Sequence, residues 1–147
     1  MMDYICRKLD IDDLDRVMDM NRNYREGFIC RENAAEFLKN PRNWLFAAVY
    51  EGVIIGFAYG YELNRLDGKG NMIYINEVGV MDQYRRQGIG FRMMSELKAA
   101  CKGKKICRYF LTAYQNNEGA NALYKKLGGE VPAESGGNDV VYHFRIK

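Results

Sequence analysis

A basic turn with two glycines, Arg85-Arg86-Gln87-Gly88-Ile89-Gly90, separates an apolar run over residues 72–80 from a helix-like run over residues 91–100. Gly88 and Gly90 let the backbone come close to a ligand and take dihedrals barred to other residues. The first N–H groups of a helix have no internal partner and carry the positive end of its dipole. A strand, such a turn and then a helix therefore make a place for an anion, and a pyrophosphate suits it well. Arg85 and Arg86 add charge beside it. The spacing is neither G-x-x-x-x-G-K-[ST] nor G-x-G-x-x-G, so the usual nucleoside triphosphate and dinucleotide loops are not what is written here. Taken alone, the hexapeptide is equally a solvated helix start with two surface arginines.

Glu77 lies on the strand just ahead of that turn, among Ile75, Val78 and Val80. Apolar neighbours raise a carboxyl pKa toward the range useful to a general base. Its plainer alternative is a strand carboxylate turned to solvent or paired with an arginine. Other chemistries lack parts. Cys6, Cys30, Cys101 and Cys107 form no C-x-x-C, and His143 is the only histidine. That argues against a zinc site and leaves a nucleophilic cysteine one candidate base. The cysteines read as reduced, mostly buried small hydrophobes, and His143 as a strand residue or a wall of a second substrate site.

These residues must be positioned by a regular alternation of elements. Residues 4–7 read as a strand. Asp10 is a good N-cap for a helix with Ile11, Leu14, Val17, Met18 and Asn21 on one face, running to about Tyr24 and broken by Gly27. Residues 33–39 form a short second helix that stops before Pro41. Residues 44–50 and 53–63 form a hairpin about Glu51-Gly52, and residues 72–80 the next strand. The helix after the glycine turn buries Ile89, Met93, Met94, Leu97 and Ala100. A strand follows over residues 106–112. The next helix buries Ala120, Leu123, Tyr124 and Leu127 and is closed by Gly128 and Gly129. Residues 140–146 are the last strand. Repeats, linkers and low-complexity tracts are absent from the sequence, so residues 1–147 read as a single α/β (α+β) domain.

Two motifs in this order resemble the GCN5-related N-acetyltransferase superfamily. Arg85 to Gly90 matches its [QR]-x-x-G-x-[GA] signature, and Asn117 stands seven residues before Tyr124 in Ala120-x-x-Leu123-Tyr124-x-x-Leu127-Gly128. The likeness extends over nearly the whole chain. It implies a mixed, mostly antiparallel central sheet of six to seven strands, flanked by about four helices and splayed at its central strands. It implies an N-acetyltransferase that uses acetyl-CoA as co-substrate and no metal. Amine attack on a thioester needs a proton acceptor, an oxyanion donor and a proton for the departing thiolate. On the resemblance, Glu77 is the base and Tyr124 the acid. The Val78 N–H is an oxyanion donor, and Val78, Gly79 and Val80 meet the pantetheine arm through backbone, with Gly79 suited to a close approach or a bulge. Arg85, Arg86, Gln87, Gly88, Ile89 and Gly90 take the pyrophosphate. Asn117 bonds the pantetheine or the loop, unless it is simply the N-cap of its helix. Asn121 receives no role. A coenzyme-A-binding module without turnover is the alternative.

The formal net charge of +3 hides an asymmetry: residues 1–80 carry 10 Lys/Arg against 13 Asp/Glu, and residues 81–147 carry 12 against 6. The basic half holds the anion turn. The acidic half, with Asp10, Asp12, Asp13, Asp15 and Asp19 close together, suits a cationic small-molecule amine acceptor. Basic residues interleaved with aromatics do not form a long run, so nucleic acid is not the expected partner. No segment is apolar for the length of a membrane span and no signal peptide is visible, so the expected location is cytoplasmic; a homodimer stays open. Several segments, among them Tyr61-Glu62-Leu63 and Ile73-Tyr74-Ile75, resemble the aminoglycoside 3-N-acetyltransferase branch. That branch is more acidic where residues 113–120 keep only Glu118. An aminoglycoside is thus the leading named acceptor, beside a small amine, a polyamine or a protein amine.

Overall fold

The computed structural model describes residues 2–21, 29–131 and 139–146. Its elements are β1 (Ile5–Lys8), α1 (Leu14–Asn21), α2 (Arg31–Lys39), β2 (Asn43–Tyr50), β3 (Val53–Leu63), β4 (Asn71–Val80), α3 (Ile89–Cys101), β5 (Ile106–Tyr114), α4 (Glu118–Lys126) and β6 (Asp139–Arg145). The strands form one sheet in chain order. Every neighbouring pair is antiparallel except β4 and β5, which run parallel across the α3 crossover. This is the mixed, mostly antiparallel α/β sheet expected, with six strands and four helices.

Each face of the sheet carries its own core. On one face α3 buries Ile89, Met93, Met94, Leu97 and Cys101 against Ile55, Ile73, Ile75 and Leu111, and α4 adds Tyr124 beside Tyr142 and Phe144. On the other face Val17 and Met20 of α1 and Ala34 of α2 pack on Leu45, Ala47, Ile54 and Phe57. The buried stripe of α1 includes Val17 and Met20. The expected helix to Tyr24 and its break at Gly27 fall outside the described residues.

Two local differences from expectation have physical causes. α2 begins at Arg31, two residues early, because the Cys30 thiol caps it by accepting from the Asn33 N–H at 3.4 Å. Only Cys101 of the four free cysteines is fully buried. The aspartates of the N-terminal half are largely structural. Asp10 caps a 3-10 turn over Ile11–Asp13, and Asp15 pairs with Arg31 at 2.9 Å. Asp13 is 2% exposed and binds Arg7 at 2.7 and 2.9 Å and Arg16 at 2.9 Å. The Arg7 hydrogen bonds hold its carboxyl below the usual range. Asp10, Asp13 and Asp15 are therefore committed to capping and ion pairs.

Candidate active site

The site is built on β4, and a bulge sets which way its residues point. Along β3 and β4, Tyr59 pairs with Glu77 but Gly60 pairs with Ile75, so Asn76 is an extra residue. One inserted residue switches the face on which all later side chains lie. Ile73 and Ile75 are buried toward α3, and after Asn76 it is Val78 and Val80 that pack on that core. Glu77 consequently faces α1 and α2. The Asn76 amide donates to the Tyr59 hydroxyl at 2.5 Å and accepts from the Tyr74 hydroxyl at 3.4 Å. Gly60 makes the bulge sterically feasible: a Cβ there would lie 1.8 Å from the Tyr74 carbonyl oxygen.

Glu77 stands in the wall of a cavity of about 300 Å³ between the sheet and α1/α2. Its other described walls are almost wholly apolar, including Val17, Met20, Ala34, Phe37 and Phe57, with Tyr59 and Asn33 as the polar exceptions. Burial raises the Glu77 carboxyl above its ordinary pKa, as a base working near neutrality requires. Glu77 is the only charged residue among the described walls.

The same stretch of β4 parts from β5. Parallel pairing runs from Asn71↔Ile106 to Ile75↔Leu111 and stops, while Thr112, Ala113 and Tyr114 continue with β6. Over residues 76–80 the backbone groups turned away from β3 are left without a strand partner, which is the splay expected. Gly79 is not the bulge. Its missing side chain is filled by the Phe57 ring, 2.8 Å from where a Cβ would sit.

Beyond β4 a short 3-10 turn leads into the basic loop. Arg86 and Gly88 both have positive φ, 64° and 78°. Gly88 is the N-cap of α3 with no side-chain cap bond and no acidic residue in the first turn. A Cβ at Gly88 would meet nothing within 4 Å, so the N-terminus of α3 is open on that side. The Arg85 Nε donates to the Val80 carbonyl at 3.2 Å and its guanidinium pairs with Asp82 at 3.2 Å, bracing the loop against β4. Gln87 bonds the Gln83 carbonyl at 3.4 Å, Ile89 is buried in the core, and Gly90 lets Leu123 of α4 approach. Open N–H groups at a positive helix end, flanked by arginines, fit the pyrophosphate of coenzyme A.

α4 brings up the second motif. The Asn117 Oδ1 caps the helix by accepting from Ala120 N–H at 3.0 Å, leaving the amino group of the amide as a donor. The Tyr124 ring is packed 5.4 Å from Tyr142 and 6.2 Å from Phe144, and burial pushes its phenol up to about 12. Every buried polar side-chain atom described has a partner. Asn121, given no role by the sequence reading, ties this corner together. Its amide donates to the carbonyls of Tyr114 and Asn117 at 2.9 and 2.7 Å and accepts from the Tyr142 hydroxyl at 2.5 Å. The available signal was a polar residue one helical turn after an N-cap. His143 lies away from the splay, stacked on Phe110 at 5.7 Å. Among the described residues no cluster of His, Cys, Asp and Glu could hold a metal ion, and no helix is long and apolar enough to cross a membrane.

Splayed strand, anion loop and buried tyrosine together describe an acyltransferase built for coenzyme A. The model of the acetyltransferase (GNAT) family matches residues 11–129, and the chain belongs to that family. An N-alpha-acetyltransferase of Sulfurisphaera tokodaii is 28% identical over 141 residues, covering 86% of this chain and 80% of that protein. Among solved structures, Arabidopsis thaliana NAA60 in complex with acetyl-CoA superposes with a TM-score of 0.76 at 19% identity, over 98% of this chain and 100% of that one. An aminoglycoside acetyltransferase from an uncultured soil metagenomic sample, in complex with sisomicin, gives 0.78 at 18% identity, over 91% of each chain. The protein is an acetyl-CoA-dependent GNAT N-acetyltransferase acting on an amine.

Proposed function

We propose that the acceptor is the α-amine of a polypeptide whose first side chain is apolar. The observation that carries this reading is Glu77, the one carboxylate among the described and almost wholly apolar walls of the cavity at the open end of β4. One carboxylate suits one amine, and the remaining surface suits a side chain such as that of methionine, leucine or phenylalanine. A drug with several ammonium groups would press its other charges on Val17, Met20 and Phe57 without partners, at high cost. The likeness to N-alpha-acetyltransferases supports the same choice. An aminoglycoside is the second reading, favoured by fold likeness alone.

In the reaction the neutral amine attacks the thioester carbonyl carbon of acetyl-CoA. A C–N bond forms, the C–S bond breaks, and Glu77 takes the proton released by nitrogen, directly or through water. The Val78 N–H donates to the carbonyl oxygen as charge develops there. The pantetheine arm lies along the backbone of Val78, Gly79 and Val80 and is bonded by the Asn117 amide. The pyrophosphate rests on the turn from Arg85 to Gly90. Tyr124, protonated throughout the working range, donates to the departing sulfur. Burial holds the Tyr124 phenol in its protonated form, so Tyr124 hydrogen-bonds the sulfur as the C–S bond breaks, and the thiolate takes its proton from Tyr124, which solvent reprotonates, or from solvent on release.

An α-amine of pKa about 7.7 is roughly one-sixth neutral at pH 7, whereas a lysine amine of pKa about 10.4 is neutral in fewer than about one molecule in a thousand. A carboxylate lifted by burial is an adequate base for the first and a poor one for the second. The test is thiol release from acetyl-CoA with Met-, Leu- and Ser-starting peptides, a lysine side-chain amine and kanamycin. Preference for the Met or Leu peptide supports the proposal; kanamycin turning over fastest overturns it.

A further inference from the structure

Among the described residues, the face of the sheet that carries Glu77 is only half roofed. α1 and α2 pack over β2 and β3, and α3 and α4 lie on the opposite face. Across the remainder of that face runs a chain of ring contacts. Phe37 of α2 meets Tyr59 at 5.9 Å and Tyr61 at 6.1 Å, Tyr61 stacks on Tyr74 at 6.5 Å, Tyr74 meets Phe110 at 5.3 Å, and Phe110 stacks on His143 at 5.7 Å. Tyr61, Tyr74, Phe110 and His143 are direct cross-strand partners on β3, β4, β5 and β6. None of the four is fully buried, and Tyr61 is 36% exposed. Rings in such a row stabilise a sheet. A core function does not require them to stand at the surface.

Two further features give the row a direction and a charge. One end is Tyr59, which lines the cavity with Glu77 and is its cross-strand partner. Beside the other end, Arg108 and Arg145 sit directly opposite one another on β5 and β6. Like charges in that position repel. Arg145 has Glu130 at 3.5 Å, and among the described residues the Arg108 guanidinium hydrogen-bonds only the Met72 sulfur, at 3.0 and 3.1 Å. The pair is thus under-neutralised on a face continuous with the acceptor cavity. Burial and Arg108 both lower the His143 pKa, so its ring stays neutral at pH 7 and adds no third charge.

We propose that this aromatic row and the Arg108/Arg145 pair form a docking track for the acceptor polypeptide beyond its first two residues, favouring acidic side chains at the far end. Three strand spacings from β3 to β6 span about 14 Å. An extended chain covers that in about four to five residues, so the arginines meet residues near the fifth and sixth. The track rests on the reading of the acceptor as a polypeptide amine.

The experiment compares three acceptors with the same apolar first two residues: a dipeptide amide, a hexapeptide with glutamates at positions five and six, and its lysine counterpart. In the wild-type protein kcat/KM for the acidic hexapeptide should exceed that for the dipeptide by about tenfold or more, mostly through KM, with the lysine peptide well below it. Phe110→Ala should bring the long-to-short ratio toward one. Arg108→Glu should reverse the preference between the acidic and lysine hexapeptides, a change no general loss of stability produces. Equal kcat/KM for dipeptide and acidic hexapeptide in the wild-type protein would overturn the track while leaving the polypeptide acceptor standing. Turnover of small amines but of no peptide would remove both. If light scattering shows a dimer that Phe110→Ala dissociates, the row is an interface between copies and the track is wrong.

Discussion

The two halves of β4 share one strand and do opposite things. Residues 72–75 pair with β3 on one side and β5 on the other, with Ile73 and Ile75 fully buried toward α3. Residues 77–80 pair with β3 alone, and their side chains have changed face. One inserted residue, Asn76, marks the boundary. The first half is core. The second half, freed from β5 and turned by the bulge, offers backbone on one edge, a carboxylate to one face, and a path straight into the anion loop. Function is added here by interrupting a regular strand at a single residue while the rest of the sheet holds it.

The comparison is broken most severely at Gly60. Gly60→Val would drive side-chain atoms into the Tyr74 carbonyl, so the bulge must close or the strands must part. We expect a loss of about 3 kcal/mol or more in denaturant unfolding, with acetyl transfer lost in whatever remains folded. Asn at the hairpin position Gly52, whose φ of 78° asparagine tolerates and where a Cβ would meet nothing within 4 Å, should cost far less and leave the site working.

Next in size is the anion loop. Gly88→Asp puts a carboxylate at the N-cap of α3, a good cap for the helix and a bad neighbour for a pyrophosphate. Calorimetry should show acetyl-CoA binding weakened by at least about tenfold, or about 1.4 kcal/mol. Gly88→Asn, nearly the same shape at the same left-handed φ, should bind much more tightly than the aspartate variant. Equal affinities would remove the charge from the explanation.

Smaller effects are expected at α4. Tyr124→Phe keeps the packed ring and removes only the donor, so kcat should fall about 10-fold to 100-fold with the melting temperature nearly unchanged. Asn121→Ala removes two hydrogen bonds that hold α4 to β5 and β6 and a third to the carbonyl of the N-cap Asn117. We expect about 1–2 kcal/mol less stability and a few-fold weaker acetyl-CoA binding, through displacement of Asn117. A Tyr142→Phe variant should reproduce part of the loss, since it removes the same Asn121 contact.

Much of this was legible in the sequence. Every described strand, and α2 to α4, lie within about two residues of expectation, because alternating and helical apolar patterns report directly on burial; the first helix opens instead with a 3-10 turn over Ile11–Asp13. The loop from Arg85 to Gly90 and the spacing of Asn117 and Tyr124 were visible because local backbone geometry and one helix face are encoded locally. What could not be read depends on pairing between distant segments. The bulge at Asn76 exists only relative to Tyr59 and Gly60, so Gly79 drew attention that belonged to Gly60. Asp13 and Asp15 read as part of an acceptor wall, but Arg7 and Arg16 occupy Asp13 and Arg31 pairs with Asp15. The row from Tyr61 to His143 is not written in any one segment, because its continuity arises from four strands in register.

The central claim is that Glu77, placed by the bulge and lifted by burial, is the base for amine attack. The direct measurement is the pH dependence of kcat/KM for wild type and Glu77→Gln with a Met-starting peptide. In the wild-type protein both the carboxyl and the amine must lose a proton. The rate should fall with a slope of one below the amine pKa, then two below an apparent pKa above the ordinary carboxylate value of about 4.3, the direction in which burial moves Glu77. Glu77→Gln should lose about 10²–10⁴-fold near pH 7, keep its affinity for acetyl-CoA, and retain a slope of one throughout. A glutamine variant with the wild-type rate and both limbs intact would contradict the account.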